Sequence, residues 1–337
     1  MTFQTVIKPS DHVFPIEENE TILEAALKHG YVLPYSCRDG VCGACKGKVV
    51  SGQIDHGKAS EEALSATERS TGMALFCCAK PLSDLEIECR EVSAVKDIPV
   101  KTLPCRVQKI EKVAPDVMVI SLKLPANERL QFLAGQYIDV LLKDQKPRSF
   151  SLANAPHDDE LLQLHIRNIA GGVFTQYVFN EMKERDLLRF KGPLGTFFLR
   201  EDTDKPIIFV ASGTGFAPVK AIIEHALYAG IKRPMHFYWG GRKLADLYML
   251  DKAQEWESSG IKFTPVLSEA LPEDNWRGRT GFVHHAVMED YSDLSGYEAY
   301  VCGAPVVVEA AHRDFTGQRG LPNEAFYSDA FTFTPKN

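Results

Sequence analysis

Four cysteines carry the strongest chemical signal in this sequence of 337 residues. Three of them follow the pattern C-x4-C-x2-C, and the fourth comes after 31 further residues: Cys37, Cys42, Cys45 and Cys77. Two irons bridged by two sulfides need four thiolates, and this spacing is typical of proteins that hold such a cluster. Zinc also binds four cysteines, but zinc sites usually contain two C-x2-C pairs instead of one asymmetric triplet. The spacing therefore favours a [2Fe–2S] cluster, with zinc as the alternative.

The residues around these cysteines support the same interpretation. Gly40 and Gly43 carry no side chain, so backbone N–H groups of the loop can approach the sulfurs closely and help to set the reduction potential. Cys78 is adjacent to Cys77 and is expected to point to the opposite face of a strand. Three further cysteines are interpreted as small buried residues: Cys78, Cys89 and Cys105.

A second group of residues suits a cofactor that carries a pyrophosphate. Arg148 can grip a pyrophosphate as a charged fork, and Ser151 can offer its hydroxyl to a ring nitrogen. Alone, this short run also fits the corner of a barrel. Gly171 and Gly172 then precede a helix that contains Thr175, and a helix N-terminus binds phosphate through its free N–H groups. The two motifs together indicate a phosphate-bearing cofactor.

A third group lies at the ends of strands in the last part of the chain. The run 212–218 follows one strand directly and opens a helix, which is the context that a pyrophosphate requires, although the G-x-G-x-x-G fingerprint is absent. Open α/β sheets bind ligands at the carboxyl ends of their strands. The candidate contacts at these ends are Gly213, Thr214, Gly215, Pro218, Arg242, Glu269, Cys302 and Gly303.

The elements that position the cysteines read as short strands around one helix in residues 1–92. Thr21 and Glu24 form a capping-box pattern that opens a predicted helix, Ile22–His29. The predicted strands of this part are residues 5–7, 13–16, 45–50 and 85–89. Residues 93–102 show no clear period, so we interpret them as a linker.

In the rest of the chain, the pattern of predicted secondary structure changes once, near residue 200. Residues 103–200 predict a small antiparallel barrel, with a helix after Gly172 and strands at 107–113, 117–124, 137–142 and 161–167. Residues 201–337 alternate strands with helices, which predicts a parallel α/β sheet. The predicted strands are 207–211, 235–239, 262–267 and 299–302, and the helices are 217–229, 247–256, 283–289 and 306–315.

Composition and charge exclude several classes of protein. Hydrophobic residues make up 45% and charged residues 25%, which is ordinary for packed domains. The net charge of −7 disfavours a general nucleic-acid binder, and no apolar run is long enough to span a membrane. The first residues lack the apolar core of a signal peptide, so we expect a cytoplasmic protein. Residues 1–90 contain 9 basic and 13 acidic side chains, which fits either an ordinary solvated surface or a docking face.

The motifs together resemble known families along nearly the whole chain. Residues 1–92 resemble the plant-type [2Fe–2S] ferredoxin domain, and the run 148–151, the Gly171-Gly172 loop and the run 212–218 resemble the ferredoxin-NADP reductase superfamily. Their order resembles the one-chain reductases of bacterial oxygenase systems. The resemblance implies an N-terminal β-grasp ferredoxin, an antiparallel β-barrel that binds FAD, and a C-terminal parallel α/β domain that binds a nicotinamide cofactor.

The resemblance also implies roles for single residues around FAD. The arginine of the run 148–151 holds the FAD pyrophosphate, and its serine approaches flavin N5 as a catalytic residue. Phe150 stands where the family usually has tyrosine, so stacking on the flavin is kept and the hydroxyl contact is lost. His165 and Arg167 are further expected cofactor contacts. Phe331, near the end of the chain, is expected to cover the flavin face until nicotinamide arrives.

Two further expectations concern the nicotinamide cofactor. The resemblance places Cys302 beside the reactive nicotinamide carbon, where it would shape the pocket for hydride transfer, while the alternative is a small residue at a tight turn. Glu269 favours NADH over NADPH, because a carboxylate repels a 2′-phosphate but accepts a hydrogen bond from a ribose hydroxyl.

The implied function is an electron-transfer reductase in which electrons pass from NADH to FAD, then to the [2Fe–2S] cluster, and then to a partner protein. The resemblance leaves two partners open, a sugar 3-dehydrase and a Rieske or di-iron oxygenase component. A third hypothesis, a non-enzymatic iron–sulfur redox sensor, does not explain the two nucleotide-binding domains.

Overall fold

The computed structural model describes residues 1–142 and 147–331, and these form two compact units. One unit contains Met1–Ile98 together with residues 328–331, and the other contains Pro99–Tyr327. Residues 332–337 of the predicted nicotinamide domain lie outside the described residues. Within the described ranges, none of the helices has the length and apolar character needed to cross a membrane.

The N-terminal unit is built on a five-stranded sheet of order β2-β1-β7-β3-β5, with a separate β4-β6 pair. Strands β1 and β2 are antiparallel, whereas β1 and β7 are parallel. The elements are β1 (Thr2–Lys8), β2 (His12–Glu17), α1 (Ile22–Lys28), β3 (Lys46–Ser51), β4 (Ile54–Asp55), α2 (Ala66–Ser70), β5 (Met73–Leu75), β6 (Lys80–Pro81) and β7 (Leu85–Glu88).

Helix α1 begins with the capping box that the sequence predicts. The Thr21 hydroxyl accepts a hydrogen bond from the Glu24 N–H (3.2 Å), and the Glu24 carboxylate accepts one from the Thr21 N–H (3.0 Å). A cap of this kind stabilises a helix by ~1 kcal/mol. Helix α1 fixes the start of the loop that holds three cysteines, and β3 fixes its end.

The barrel contains six strands, all paired antiparallel, in the order β11-β10-β13-β8-β9-β12. A bridge between Leu152 and Leu164 joins the two ends of this sheet and closes it. The elements are β8 (Lys101–Ala114), β9 (Val117–Lys123), β10 (Tyr137–Leu141), β11 (Pro147–Ser151), β12 (Leu162–Arg167), α3 (Val173–Asn180) and β13 (Leu187–Leu194). Strand β8 begins at Lys101, inside the predicted linker 93–102.

The inside of the barrel is a continuous apolar core. Leu152, Leu164 and Ile166 line it from the closing strands, and Phe174 of α3 covers it. Each buried side chain of this size contributes ~1.5–3 kcal/mol to folding. This core holds β11, β12 and the start of α3 in fixed positions relative to one another.

The last sheet of the chain has the order β17-β16-β15-β14-β18-β19. Strand β14 pairs in parallel with both β15 and β18, so the strand order reverses beside β14. Such a reversal opens a crevice at the carboxyl ends of the strands, where ligands bind. The elements are β14 (Ile207–Ser212), α4 (Phe216–Tyr228), β15 (Met235–Gly241), α5 (Leu250–Glu255), β16 (Lys262–Leu267), β17 (Arg279–Thr280), α6 (Val283–Asp290), β18 (Glu298–Gly303), α7 (Pro305–Arg319) and β19 (Phe326–Ala330).

Candidate functional site

The four predicted cluster ligands form two pairs of thiols. Cys37 and Cys42 interact through their thiols on the loop between α1 and β3. Cys45 and Cys77 form the other pair, because their thiols interact and the Cys77 N–H donates to the Cys45 sulfur (3.5 Å). A [2Fe–2S] cluster has two irons, and each iron takes two thiolates. The arrangement therefore provides one thiol pair for each iron.

The same arrangement does not suit a single zinc ion. A tetrahedral zinc with four sulfurs at ~2.3 Å would bring all four sulfurs to within ~3.8 Å of one another. Among residues 1–142 and 147–331, no three of the four cysteine sulfurs come within 4.8 Å of one another. The residues present thus fit the two-iron cluster, and the geometry disfavours the zinc alternative.

Backbone N–H groups of the loop point towards the sulfur of Cys37. The Asp39 N–H donates to the Cys37 sulfur (3.3 Å). The Cys42 thiol, followed by the N–H groups of Asp39, Val41 and Cys42, lowers the pKa of Cys37 to about 6 against the opposing effect of burial. Such N–H groups stabilise a thiolate, which is the form that binds iron.

Cys78 does not lie where the sequence predicted. Residues Phe76–Cys78 form a turn after β5 instead of a strand, and the sulfurs of Cys77 and Cys78 are 3.7 Å apart. The alternation of side chains along a strand therefore does not apply, and the prediction of opposite faces was wrong. Cys78 packs behind the loop, since a Cβ at Gly40 would lie 2.5 Å from its sulfur. Gly40 also has φ +79°, which favours glycine.

The predicted FAD residues of β11 lie beside the start of α3. Arg148, Phe150 and Ser151 belong to β11, which pairs with β10. The ring of Phe150 lies 5.2 Å from that of Phe174, on the first turn of α3. Ser151 is buried at the end of its strand. The fold thus brings together the two motifs that sequence reasoning assigned to one phosphate-bearing cofactor.

The Gly171-Gly172 loop leaves the N-terminus of α3 without a side-chain cap. Gly172 is the N-cap residue and has no side chain with which to cap the first N–H groups. The Thr175 hydroxyl instead closes the preceding loop, because it lies 3.2 Å from the carbonyl oxygens of Ile169 and Gly172. An uncapped helix start of this kind suits a phosphate. A contact between Thr175 and the cofactor stays a prediction.

The GTG turn of the nicotinamide domain packs directly on the end of β18. A Cβ at Gly215 would lie 2.3 Å from the carbonyl oxygen of Cys302, so only glycine fits. The Ser212 hydroxyl accepts from the Ala304 N–H (2.9 Å), which holds the turn against the residue after Gly303. Gly213 and Thr214 form the half-exposed part of this turn, while Pro218 is buried in α4. Cys302 has no exposed surface (0%).

Arg242 and Glu269 lie next to each other at the ends of β15 and β16. The Glu269 N–H donates to the carbonyl oxygen of Arg242 (2.8 Å), and both side chains are exposed. Arg242 also pairs with Asp246 (3.1 Å). A cation and a carboxylate therefore share the edge at which the ribose of the nucleotide was predicted to bind.

Side-chain contacts join the barrel to the nicotinamide domain within the second unit, and three of them lie at or beside the predicted site. His165 Nδ1 and the Tyr248 hydroxyl are 2.9 Å apart. The guanidinium of Arg167 donates to the Asp246 carboxylate (3.2 Å). His165 and Arg167 are two residues apart on β12, so their side chains lie on the same face of the strand, and both contact the segment after β15. In the third contact, the ammonium of Lys220 on α4 donates to the carbonyl oxygen of Ala153 (3.0 Å).

His165 is neutral at physiological pH. Burial, followed by the charge of Lys220, lowers the pKa of His165 to about 3. Its Nε2 atom is buried without a hydrogen-bond partner in the described part of the chain. A buried polar atom of this kind normally has a partner. Together with the uncapped start of α3, this unpaired atom fits a polar cofactor between β12 and the nicotinamide domain.

Sequence reasoning missed the partners in these contacts. Asp246 and Tyr248 follow Arg242 closely, and Lys220 lies two residues after the run 212–218, but none was chosen as a site residue. The only sign in the sequence that these residues belong to the site was their closeness to Arg242 and to the run 212–218. Phe331 follows β19, is half-buried and belongs to the N-terminal unit, so its predicted role at the flavin stays a prediction.

Comparisons with known proteins assign all three domains. Residues 5–82 match the 2Fe-2S iron-sulfur cluster binding domain, residues 104–199 the oxidoreductase FAD-binding domain, and residues 209–313 the oxidoreductase NAD-binding domain. These matches confirm the predicted fold classes and the three cofactors.

Several relatives match this chain over nearly the whole length of both sequences. The chain is 41% identical to the CDP-6-deoxy-L-threo-D-glycero-4-hexulose-3-dehydrase reductase of Yersinia pseudotuberculosis, over 98% of this chain and 99% of the relative. It is 35% identical to the phenol 2-monooxygenase reductase component DmpP of Pseudomonas sp. CF600, over 98% and 95%. The crystal structure of the cytochrome P450 reductase GcoB of Amycolatopsis matches with a TM-score of 0.75 and 35% identity, covering 98% and 99%.

Proposed function

The chain belongs to the family of one-chain iron–sulfur flavoprotein reductases, and we propose that it passes electrons from NADH to a CDP-6-deoxyhexulose 3-dehydrase. The observation that carries this proposal is its likeness to the Yersinia reductase, which extends over nearly the full length of both chains. The named partner is the finer part of the proposal, because oxygenase reductases share the same three domains.

The chain's own residues serve binding and orientation. When bound, FAD takes up the two electrons of a hydride from NADH and releases them singly through the cluster. Arg148 and the uncapped start of α3 would hold the FAD pyrophosphate, and Ser151 would face the reactive edge of the flavin. The GTG turn at Gly213 would hold the NADH pyrophosphate against the N-terminus of α4. Cys302 would limit the space beside the nicotinamide.

The test is the rate of NADH oxidation in the absence of oxygen. We expect this rate to rise when two components are both present: the 3-dehydrase that appears in the name of the Yersinia relative, and the sugar nucleotide on which that dehydrase acts. Neither component alone should raise the rate. Iron loss through Cys77→Ser should abolish the rise, which ties it to the cluster. A rate that responds to an oxygenase component and ignores the dehydrase would contradict the proposed partner while leaving the reductase class intact.

The second candidate function is the reductase component of an oxygenase. The specific observation that favours it is the likeness to a cytochrome P450 reductase and to a phenol monooxygenase component at full length. The corresponding assay with oxygen present, using an oxygenase component and its aromatic substrate in place of the dehydrase, distinguishes the two candidates, because an oxygenase needs O2 as its second substrate. Product formed by the oxygenase at a rate matched to NADH consumption would favour this function.

The proposed preference for NADH depends on Glu269. Its exposed carboxylate would repel a 2′-phosphate, whereas the neighbouring Arg242 is already paired with Asp246. Glu269→Arg should narrow the preference in kcat/KM by about tenfold, because a second cation can pair with the phosphate. Glu273→Arg, an equal change of charge nearby in the sequence, is the control. A wild-type protein that uses NADPH as well as NADH would refute this role.

A further inference from the structure

Two histidines and one aspartate meet between α6 and α7, away from the residues assigned to the cofactors. His284 and His285 lie on the first turn of α6, and Asp314 lies on α7. One ligand atom from each of the three lies within 4.8 Å of the other two. The His284 Nε2 atom is 3.4 Å from an oxygen of Asp314, and the two imidazole rings are 4.2 Å apart.

The burial of these groups shows a site that is closed on one side and open on the other. His284 is 6% exposed and Asp314 is 4% exposed, while His285 is exposed. The Nδ1 atom of His284 is buried and has no hydrogen-bond partner among the described residues. A groove of about 370 Å³ opens beside His285 and Asp314, with Glu289 and Gln318 on its wall. A small ion can therefore reach the cluster from solvent.

We propose that His284, His285 and Asp314 bind a divalent transition-metal ion such as zinc. Zinc bound at ~2.0–2.2 Å by nitrogen and oxygen ligands in a tetrahedron holds those atoms ~3.4 Å apart, as His284 and Asp314 already are. Two imidazoles and one carboxylate favour zinc, nickel or copper over calcium or magnesium. Three protein ligands leave the fourth position to water in the groove. This proposal does not depend on the identity of the electron acceptor.

The guanidinium of Arg313 would compete with a metal ion for the carboxylate of Asp314. Its guanidinium donates two hydrogen bonds to Asp314 (2.8 and 3.1 Å), and its side chain is 70% exposed. Gln318 donates a further hydrogen bond to the same carboxylate (3.0 Å). An incoming cation must take over the charge of Asp314 from Arg313. The site should therefore bind metal with moderate affinity, and removal of Arg313 should strengthen binding.

An ion at this place would link two helices of the nicotinamide domain. Helix α6 follows β17 directly, and α7 follows β18, the strand that ends in Cys302 and Gly303. The ion would restrain the start of α6 against the middle of α7. We therefore expect it to raise the midpoint of thermal unfolding in proportion to the logarithm of its concentration above Kd.

The experiment is a calorimetric titration of the protein loaded with cluster and FAD, using Zn²⁺, and an absorption titration with Co²⁺. One ion per chain should bind. His285→Ala removes an exposed ligand without disturbing the core and should weaken binding about tenfold or more. Arg313→Gln should strengthen it by up to about tenfold. His225→Ala, a surface histidine that pairs with Glu201 (2.8 Å), is the matched control and should change nothing.

Three results would overturn the proposal. Binding that His285→Ala and Asp314→Asn leave unchanged would place the ion elsewhere. A sulfur-to-cobalt charge-transfer band would show that free cysteines take the ion. Absence of any binding at millimolar Zn²⁺ would also refute the site, and failure of Asp314→Asn to fold would leave the His285→Ala result as the deciding one.

Discussion

The cysteine loop and the flavin–nicotinamide site hold their groups in opposite ways. In the loop, Cys37, Cys42 and Cys45 lie within nine residues, and the fourth predicted ligand, Cys77, comes from a distant part of the sequence. In the second unit, the candidate groups come from the ends of several strands on two domains, and the contacts of His165, Arg167 and Lys220 keep those domains together.

The two sites should therefore respond differently to single substitutions. A local loop depends on covalent ligands and on backbone conformation, so one ligand decides the outcome. A distributed site depends on several contacts of moderate strength, so each single change should have a graded effect. The predictions below separate these two behaviours, beginning with the change that should remove a whole function.

The largest effect is expected for Cys77→Ser, which removes one thiol of the Cys45–Cys77 pair. The protein should lose its [2Fe–2S] cluster, measured as iron, sulfide and visible absorbance, because each iron needs two thiolates. Reduction of cytochrome c by NADH should fail, while reduction of ferricyanide should continue, since FAD alone can serve that dye.

The control is Cys78→Ser, which should keep the cluster. The Cys78 sulfur lies 3.7 Å from that of Cys77, so a double variant checks that Cys78 does not replace the missing ligand. In the Cys77→Ser/Cys78→Ser double variant, Cys78 cannot replace Cys77 as an iron ligand. Equal loss of iron in the Cys77→Ser and Cys78→Ser variants would refute the choice of fourth ligand.

The next effect concerns Cys302, at the end of β18. If its side chain shapes the nicotinamide pocket, Cys302→Ala should slow flavin reduction by NADH by up to about 10²-fold through misplaced reacting carbons. Single-turnover stopped flow measures this rate, and KM should change less. Cys105→Ala is the matched control, because Cys105 is another buried cysteine that lies in the barrel core. An unchanged rate would leave Cys302 as a small residue at a tight turn.

A smaller, pH-dependent effect is expected for Asp246→Asn. Burial raises the pKa of Asp246, but its hydrogen bond from Arg242 and the charge of Arg167 outweigh this and lower the pKa below its usual value. A carboxyl with a lowered pKa stabilises the fold above the usual aspartate pKa of about 3.9, and this contribution is lost as pH falls through the lower pKa. The free energy of unfolding at pH 7 should fall by ~1–3 kcal/mol.

The check for Asp246→Asn is denaturant unfolding at several pH values. The difference from the wild type should be full at pH 7 and should vanish in acid, where both side chains are neutral. Asp251→Asn on α5, whose carboxylate is exposed, provides the control for loss of one negative charge. A difference that persists unchanged at low pH would mean that the pairing with Arg167 and Arg242 is not its source.

The smallest effect is expected for Tyr248→Phe. The substitution removes the hydrogen bond to His165 (2.9 Å) and keeps the edge contacts of the ring with Phe216 and Trp239. The free energy of unfolding should fall by ~1 kcal/mol. The iron content of the protein should be unaffected, because the cysteine loop does not depend on contacts within the second unit. Loss of iron in this variant would contradict the independence of the two regions.

The sequence predicted well whatever is encoded over a few neighbouring residues. The cysteine spacing, the capping box at Thr21 and the alternation of strands with helices after residue 200 are patterns of this kind, and the structure and the domain matches agree with them. Strands β11 and β13 were missed, because charged residues interrupt the apolar alternation in both.

Contacts between distant residues could not be predicted. Nothing in the sequence connects Arg167 with Asp246 or His284 with Asp314, since each pair comes from different elements whose packing decides the contact. The turn that brings Cys78 beside Cys77 has the same cause: the end of β5 replaces the expected strand alternation.

The close approach of Gly215 to Cys302 has a consequence for the evolution of this fold. The atom that excludes a side chain at position 215 is the main-chain carbonyl oxygen of residue 302, which every amino acid possesses. This contact therefore constrains the residue at position 215 and places no demand on the side chain at position 302. We therefore expect no covariation between the two positions, although they are in close contact. In a library randomised at both positions and selected for folding, glycine at 215 should be required whichever residue stands at 302.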